Sequence, residues 1–207
     1  MARKKIARRG KHAPAGKVAS NTIYQFKITL IGSKPPIWRR IEVEDGPLDN
    51  LHGHIQRAMG WTNSHLHQFD IGGEQYGEPE LLDDGFGGSE CHDSLETTIG
   101  EIVPKNGKPF RFKYEYDFGD GWEHEILFEG CCDREANARY PRCVEGKRAC
   151  PPEDVGGLWG YQDFLEALAD PKSPQRAEML EWVGGEFDPE AFDPAAATKA
   201  MQRATPN

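Results

Sequence analysis

The sequence lacks any long apolar run. Its 207 residues contain no stretch of about 18 consecutive apolar residues, which is roughly what a membrane-spanning helix needs. The basic N-terminus is not followed by the apolar segment of a secretory signal. Cysteine is scarce, with five residues, and without an export signal these favour reduced thiols or metal ligands over a disulfide framework. We therefore expect a cytoplasmic protein with no membrane partner.

Several catalytic motifs are also missing. The sequence has no P-loop, no dinucleotide-binding glycine motif that opens a helix, and no nucleophile elbow around a serine. Aromatic residues, in contrast, are well represented, with five Trp, ten Phe and six Tyr. A disordered chain would hold few of them, so the composition predicts a folded core.

Acidic residues are absent from the first 20 positions. The chain has 25 Lys and Arg against 34 Asp and Glu, a net charge of −9, and seven of the 25 basic residues lie in 1–20. The other 187 residues are therefore strongly acidic. The N-terminal segment is either a disordered, solubilising leader or an arm that contacts nucleic acid. The candidate contacts for nucleic acid are Arg3, Lys4, Lys5, Arg8, Arg9 and Lys11.

Apolar periodicity predicts an α+β fold. Residues 24–30 and 37–43 alternate as two strands around a Gly-Ser-Lys-Pro-Pro break, and residues 110–118 and 122–128 alternate around Gly-Asp-Gly. Residues 48–59 have helical spacing and end at Gly60. We expect a mixed sheet of two hairpins packed on this main helix, for which a β-grasp order is one arrangement, followed by C-terminal helices.

The expected organisation has one central domain. We assign residues 1–20 to a basic, disordered tail and residues 21–190 to a single α+β domain. Within that domain, 131–160 is a cysteine-containing loop segment and 161–185 holds helices. Residues 191–207 form a C-terminal helix or tail.

Several short motifs resemble a known family. They are Pro36-Ile37-Trp38-Arg39-Arg40, Ser64-His65-Leu66-His67-Gln68-Phe69, the run from Asp117 to His124, and Ala149-Cys150-Pro151-Pro152-Glu153-Asp154. Together they resemble the plasmid pRiA4b ORF-3-like family over about residues 22–190. The resemblance implies an α+β fold and an association with plasmids and insertion sequences, some of whose passenger proteins are labelled TnpR-like. It implies no catalytic residues. Resolvase chemistry is not expected, because an activated serine with several arginines is missing.

Cysteine and histidine offer candidate metal ligands. Zinc prefers four Cys or His ligands in a tetrahedron, and Cys132, Cys143 and Cys150 with one histidine would supply such a set. The alternative is a group of buried or incidental thiols in a loop-rich segment. His65 and His67 lie two positions apart on a predicted strand, so both point to one face, where they could chelate a metal ion.

The tip of the second hairpin is a candidate catalytic site. Asp117, Asp120 and His124 could hold a divalent ion for phosphodiester hydrolysis. Gly119-Asp120-Gly121 is also what a tight turn needs for conformational reasons alone. His124, on the aromatic side of its strand, also fits a hydrogen-bonded core histidine.

The sequence leaves three functions open. The first is a non-enzymatic binding or accessory module connected with mobile DNA, whose partner is nucleic acid or another protein and whose recognition pocket contains Trp38, Trp61 and Trp122. The second is a metal-dependent hydrolase or nuclease that uses Asp117, Asp120 and His124, with or without His65 and His67. The third is a zinc-stabilised structural protein.

Overall fold

A single eight-stranded sheet organises the molecule. The computed structural model describes residues 21–82 and 91–203. The strands lie in the order β5-β4-β3-β6-β7-β1-β2-β8, and all neighbours are antiparallel except the parallel pair β4 and β5. The strands are β1 (Thr22–Leu30), β2 (Trp38–Glu44), β3 (His67–Ile71), β4 (Glu74–Gly77), β5 (Cys91–Asp93), β6 (Phe110–Tyr116), β7 (Trp122–Asp133) and β8 (Arg142–Lys147).

Within the described residues six helices accompany the sheet, and most of the helical residues lie after β8. They are α1 (Leu48–Met59), α2 (Pro79–Leu82), α3 (Ile99–Ile102), α4 (Gly157–Ala169), α5 (Arg176–Trp182) and α6 (Pro194–Met201). No helix within the described ranges has both the length and the apolar character needed to cross a membrane.

The two predicted hairpins form the centre of the sheet, so the α+β prediction is confirmed. β1 pairs with β2 and β6 pairs with β7, with Tyr114 opposite His124. The hairpins join through β1 and β7. This central pair is antiparallel, whereas the central pair of a β-grasp sheet is parallel, and the sheet has more strands than two hairpins provide.

The two faces of the sheet differ because side chains alternate along each strand. One face carries buried apolar side chains, among them Phe26, Ile41, Phe112 and Phe128, and α1 covers it with its own apolar stripe. The other face is polar and carries ion pairs such as Arg40 with Glu129 at 2.7 Å. The alternation in the sequence therefore identified which side of each central strand is buried.

The segment 131–160 contains more regular structure than the expected loop. β7 continues to Asp133, and Arg142–Lys147 form β8 at the edge of the sheet beside β2. α6 then packs against β8, where the Thr198 hydroxyl donates to the carbonyl oxygen of Cys143 at 3.0 Å. Ala197 and Met201 of α6 are buried. The C-terminal helix thus contributes to the same core as the sheet.

Histidine side chains fill part of the space between α1 and the sheet. The rings of His52 and His67 stack with centroids 3.5 Å apart, and His124 is fully buried. His52 Nδ1 lies 2.8 Å from the hydroxyl of Tyr114. Burial lowers the pKa of His52 and His124 to about 4 and that of His67 to about 3. These histidines, which we call the buried histidine cluster, are therefore neutral at physiological pH.

Candidate functional site

Three loops meet at one end of the sheet. His65 lies just before β3, Asp117 directly follows β6, and Asp154 lies in the loop before α4. β3 and β6 are antiparallel neighbours with His67 opposite Tyr116, so the start of one strand lies beside the end of the other. The amide of Asp117 donates to the carbonyl of Leu66 at 2.9 Å and fixes this contact.

A histidine and two carboxylates converge at this point. His65 Nε2 lies 2.9 Å from Asp154 Oδ1 and 3.6 Å from Asp117 Oδ2. Each of the three residues offers a ligand atom, and all these atoms lie within 4.8 Å of one another. The Asp117 side chain is 10% exposed, whereas that of Asp154 is 69% exposed. The cluster, which we call the His-Asp-Asp cluster, is therefore anchored inside and open to solvent outside.

Both aspartates adopt a left-handed backbone conformation. Their φ angles are +55° for Asp117 and +59° for Asp154. Aspartate is one of the few residues other than glycine that tolerate this region, and such conformations often occur at functional sites. At Asp117 the conformation turns the chain so that Oδ1 accepts hydrogen bonds from the amides of Gly119 at 3.0 Å and Asp120 at 3.3 Å. The other oxygen, Oδ2, is left facing His65.

A second layer of hydrogen bonds holds the three loops in place. Its members, Ser64, Tyr116 and Glu153, each directly precede one residue of the His-Asp-Asp cluster. The buried Tyr116 hydroxyl accepts from the amide of Ser64 at 3.0 Å and donates to Glu153 Oε1. Burial first, and then the hydrogen bond to Glu153, raise the pKa of Tyr116 far above its ordinary value, so the hydroxyl keeps its proton. One hydroxyl thus ties together all three loops.

The loop that carries Asp154 is also attached to the hairpin tip. Asp120 Oδ2 accepts a hydrogen bond from the amide of Gly156 at 3.2 Å. Gly157, at φ +67°, packs so closely that a Cβ there would lie 2.4 Å from the carbonyl oxygen of Asp120. Only glycine allows this approach. Asp120 therefore has a structural contact that positions the loop of Asp154.

The predicted set of Asp117, Asp120 and His124 does not converge as a set. Asp117 joins the His-Asp-Asp cluster, while Asp120 points its carboxylate at Gly156. His124 lies in the interior, with its ring 5.4 Å from those of Trp61 and Tyr114. The register of the hairpin explains this separation, because His124 pairs with Tyr114 on the core side.

The structure also separates His65 from His67. His67 is buried against His52, whereas His65 belongs to the His-Asp-Asp cluster. His65 lies outside β3, which begins at His67, so strict strand alternation does not hold the two on one face.

The cysteines are dispersed. Cys132 is exposed on β7, Cys143 is buried on β8, and Cys150 is part-buried in the loop before α4. Within residues 21–82 and 91–203, no group of three ligand-type side chains at metal-binding distance includes a cysteine. Burial raises the pKa of both Cys143 and Cys150, which disfavours the thiolate that zinc needs.

Two of the three tryptophans of the predicted recognition pocket lie together. Trp61 and Trp122 are buried with ring centroids 5.9 Å apart, whereas Trp38 lies on the polar face of the sheet beneath Lys27. Trp61 borders a cleft of about 460 Å³ that is also lined by Thr62, Glu153 and Asp154. The basic residues Arg3, Lys4, Lys5, Arg8, Arg9 and Lys11 lie outside the described residues.

Asp154 is the site residue that sequence reasoning missed. An acidic pair after two prolines and before two glycines fits a helix cap equally well, but the amide of Gly156 is bonded by Asp120 instead. The sequence signal that pointed to Asp154 was its place in a motif of the family resemblance. His65, Asp117 and Asp154 each lie in one of the motifs that carry the family resemblance.

Comparison with known proteins gives three consistent matches. The model of the family described as plasmid pRiA4b ORF-3-like protein matches residues 22–196. An uncharacterized protein y4hQ of Sinorhizobium fredii (strain NBRC 101917 / NGR234) is 40% identical over 182 residues, which cover 87% of this chain and 91% of that protein. The crystal structure of MM3350, a protein of unknown function from Methanosarcina mazei Go1, is 34% identical with a TM-score of 0.74. The structural match covers 84% of this chain and 96% of the MM3350 chain.

Proposed function

We propose that this chain, which belongs to the plasmid pRiA4b ORF-3-like family, binds one divalent transition-metal ion and acts as a metal-dependent hydrolase. The ligands are His65, Asp117 and Asp154. The observation that carries the proposal is the convergence of their donor atoms within 4.8 Å at a place open to solvent on one side.

The donor set suits a catalytic rather than a structural ion. One imidazole nitrogen and two carboxylate oxygens match Zn²⁺, Mn²⁺ and Fe²⁺ better than Mg²⁺ or Ca²⁺, which prefer oxygen donors throughout. Structural zinc sites are closed by four protein ligands, whereas catalytic sites have three and leave a position for water. A bound ion would lower the pKa of that water towards 7 and supply hydroxide at neutral pH.

The surrounding hydrogen bonds support this function. Outer partners that orient metal ligands typically contribute 10- to 100-fold to metal affinity. Here Gly119 and Asp120 orient Asp117, and Tyr116 links the loops of the other two ligands through Ser64 and Glu153. The ligand geometry is thus built before an ion arrives, which reduces the entropy cost of binding.

The test is metal binding by a variant that preserves the turn. Asp117→Asn keeps an oxygen for the amides of Gly119 and Asp120 and tolerates the positive φ angle, but it replaces the second ligand oxygen with an amide. We expect calorimetric titration with Mn²⁺ or Zn²⁺ to give one site in the wild type and at least ~100-fold weaker binding in Asp117→Asn. The matched control is Asp170→Asn, which changes an exposed aspartate outside the cluster whose Oδ1 accepts from the amide of Lys172 at 2.9 Å, and it should bind like the wild type. Equal affinity of all three proteins would refute the site.

Hydrolysis needs its own assay. The full chain, with Mn²⁺ and after chelation, is tested on bis-p-nitrophenyl phosphate, p-nitrophenyl phosphate and p-nitrophenyl acetate as representatives of diesters, monoesters and carboxyl esters. We expect turnover of at least one compound that requires the ion and is lost in Asp117→Asn. Metal binding without metal-dependent turnover would leave the site as a binding site and reject the hydrolase.

A binding or accessory role at mobile DNA is the second candidate. It is favoured by the name of the family and by the seven basic residues, without any acid, in positions 1–20. If this segment contacts DNA, affinity should fall steeply as salt rises, and removal of residues 1–20 should abolish binding. This role would be rejected if no DNA binding is found, or if binding is insensitive both to salt and to the removal of residues 1–20.

A further inference from the structure

A second cleft lies on the side of α4 away from Asp154. It has a volume of about 500 Å³ and is lined by the loop between β1 and β2, by Arg148 after β8, and by one side of α4. Cavities of about 300–1,000 Å³ are typical of small-molecule sites. Its walls include Lys34, Arg148, Leu158, Trp159, Tyr161 and Leu165.

The charge of this cleft is opposite to that of the protein. Its lining includes Lys34 and Arg148 and no acidic residue, with Arg148 in an ion pair with Glu190 outside the lining. The whole chain, in contrast, has a net charge of −9. The clefts on the Asp154 side of α4 show the reverse, since they are lined by Glu153, Asp154 and Glu178 and by no Lys or Arg. The cleft with Lys34 and Arg148 therefore favours anionic ligands, whereas the clefts on the Asp154 side of α4 favour cationic ones.

Arg148 is built into the cleft wall rather than extended into solvent. Its side chain is 8% exposed, and its backbone has a φ angle of +66°. In the described part of the chain its guanidinium makes two hydrogen bonds, from Nε to Glu190 at 2.8 Å and from Nη1 to the carbonyl of Pro35 at 3.0 Å. A guanidinium has five N–H donors, so donors remain for a ligand, and they are held in a fixed orientation.

The remaining walls are apolar and aromatic. Trp159 is 82% exposed, and Leu158 and Leu165 lie on the same side of α4. The hydroxyl of Tyr161 is shielded from solvent and has no hydrogen-bond partner within residues 21–82 and 91–203. Burial raises the pKa of Tyr161 to about 12, so the hydroxyl retains a proton to donate. A buried hydroxyl without a hydrogen-bond partner lowers stability, and an acceptor on a bound ligand would supply that partner.

We propose that this cleft binds a small organic carboxylate whose body is aromatic or branched aliphatic. The carboxylate would lie between Lys34 and Arg148, since a planar guanidinium matches a carboxylate with paired hydrogen bonds, and the apolar body would cover Trp159. The site is separate from the His-Asp-Asp cluster, so its success or failure is independent of the metal proposal.

The test uses two probes with the same carbon skeleton and opposite charge, 4-phenylbutyrate and 4-phenylbutylamine. Calorimetric titration of the full chain should show saturable binding of the acid with a Kd on the order of 1 mM or tighter. The amine should bind at least ~10-fold more weakly. The variants Lys34→Met and Trp159→Ala, both at exposed positions, should each weaken binding of the acid by ~5-fold or more.

Matched controls remove the same groups elsewhere. Lys172→Met deletes a positive charge in the loop after α4, and Trp182→Ala deletes the exposed tryptophan beside Asp154. Both should bind 4-phenylbutyrate like the wild type. The proposal is overturned by absent binding of the acid, by equal binding of the amine, or by binding that Lys34→Met and Trp159→Ala leave unchanged.

Discussion

Two histidines that are two positions apart illustrate two different uses of the same side chain. His67 is buried in the histidine cluster, stacked on His52 and in edge contact with Phe69. His65 is about one-third exposed and lies beside two carboxylates. Burial lowers the pKa of His67 to about 3, so it contributes as a neutral ring. The surroundings, not the residue type or spacing, determine which histidine is available for chemistry.

The comparison extends to the groups around each histidine. The buried histidine cluster contacts aromatic rings and the hydroxyl of Tyr114 and has no carboxylate partner among its described contacts. The His-Asp-Asp cluster is acidic, open and held by strained loops. We therefore expect the first region to respond to changes in packing and pH, and the second to respond to metal ions.

The largest effect is expected from exchanging each histidine for alanine. His65→Ala should weaken metal binding by ~100-fold or more and leave the free energy of unfolding nearly unchanged, because it removes a metal ligand from a side-chain position that is about one-third exposed. His67→Ala should lower the free energy of unfolding by about 2–3 kcal/mol, because it leaves a cavity beside His52. The measurements are calorimetric titration with Mn²⁺ and urea denaturation.

The two variants serve as controls for each other. A folded His67→Ala protein should retain wild-type metal affinity. If His67→Ala abolished metal binding while His65→Ala preserved it, the assignment of roles to the two regions would be reversed.

The second effect is a pH dependence of stability. His52 and His124 have a pKa of about 4 in the folded protein and about 6.5 when unfolded. The unfolded chain therefore binds protons that the folded chain does not. Their stabilising contribution is complete above pH 6.5 and is lost as the pH falls towards 4. His52→Gln should reduce the slope of unfolding free energy against pH, between pH 5 and 6, by about 1.2 kcal/mol per pH unit.

A buried residue without a titratable group provides the control for this slope. Ile55 is fully buried on the same helix as His52, and Ile55→Val should lower the stability about equally at each pH and leave the slope at its wild-type value. The relevant experiment is urea denaturation at pH 7.5, 6.0 and 5.0. Equal slopes for His52→Gln and the wild type would show that the buried histidine titrates normally in the folded state.

The extent of prediction from sequence follows the same division. Alternating aromatic residues identified the hairpin of β6 and β7 and its buried side, because side-chain alternation is a local property of strands. The pairing of Asp117 with Asp154 could not be read in this way. The two residues are 37 positions apart, with β8 and the loop before α4 between them. Their proximity depends on tertiary contacts such as the hydrogen bond between Asp120 and the amide of Gly156.

The same reasoning explains why Asp117, Asp120 and His124 do not converge in the structure. Proximity in sequence suggested a shared site, but a strand directs alternate side chains to opposite faces and a turn redirects its own. His124 therefore faces the core, and Asp120 bonds the neighbouring loop. His65, Asp117 and Asp154 lie in three separate motifs of the family resemblance, and only the tertiary structure brings their side chains together.

The smallest effect, and the most selective, is expected from two tyrosine variants. Tyr116→Phe removes the hydroxyl that links Ser64 and Glu153 and should weaken metal binding by about 10-fold, as for other residues that orient ligands. Tyr114→Phe removes a buried hydroxyl that contacts His52 and Gln56. It should lower the free energy of unfolding about as much as Tyr116→Phe does, without changing the metal affinity. Because both variants lose one buried hydroxyl on the same strand, a general loss of stability would affect metal binding equally in both. A difference confined to Tyr116→Phe would show that the strand carries two functions on one face, with packing at Tyr114 and loop positioning at Tyr116.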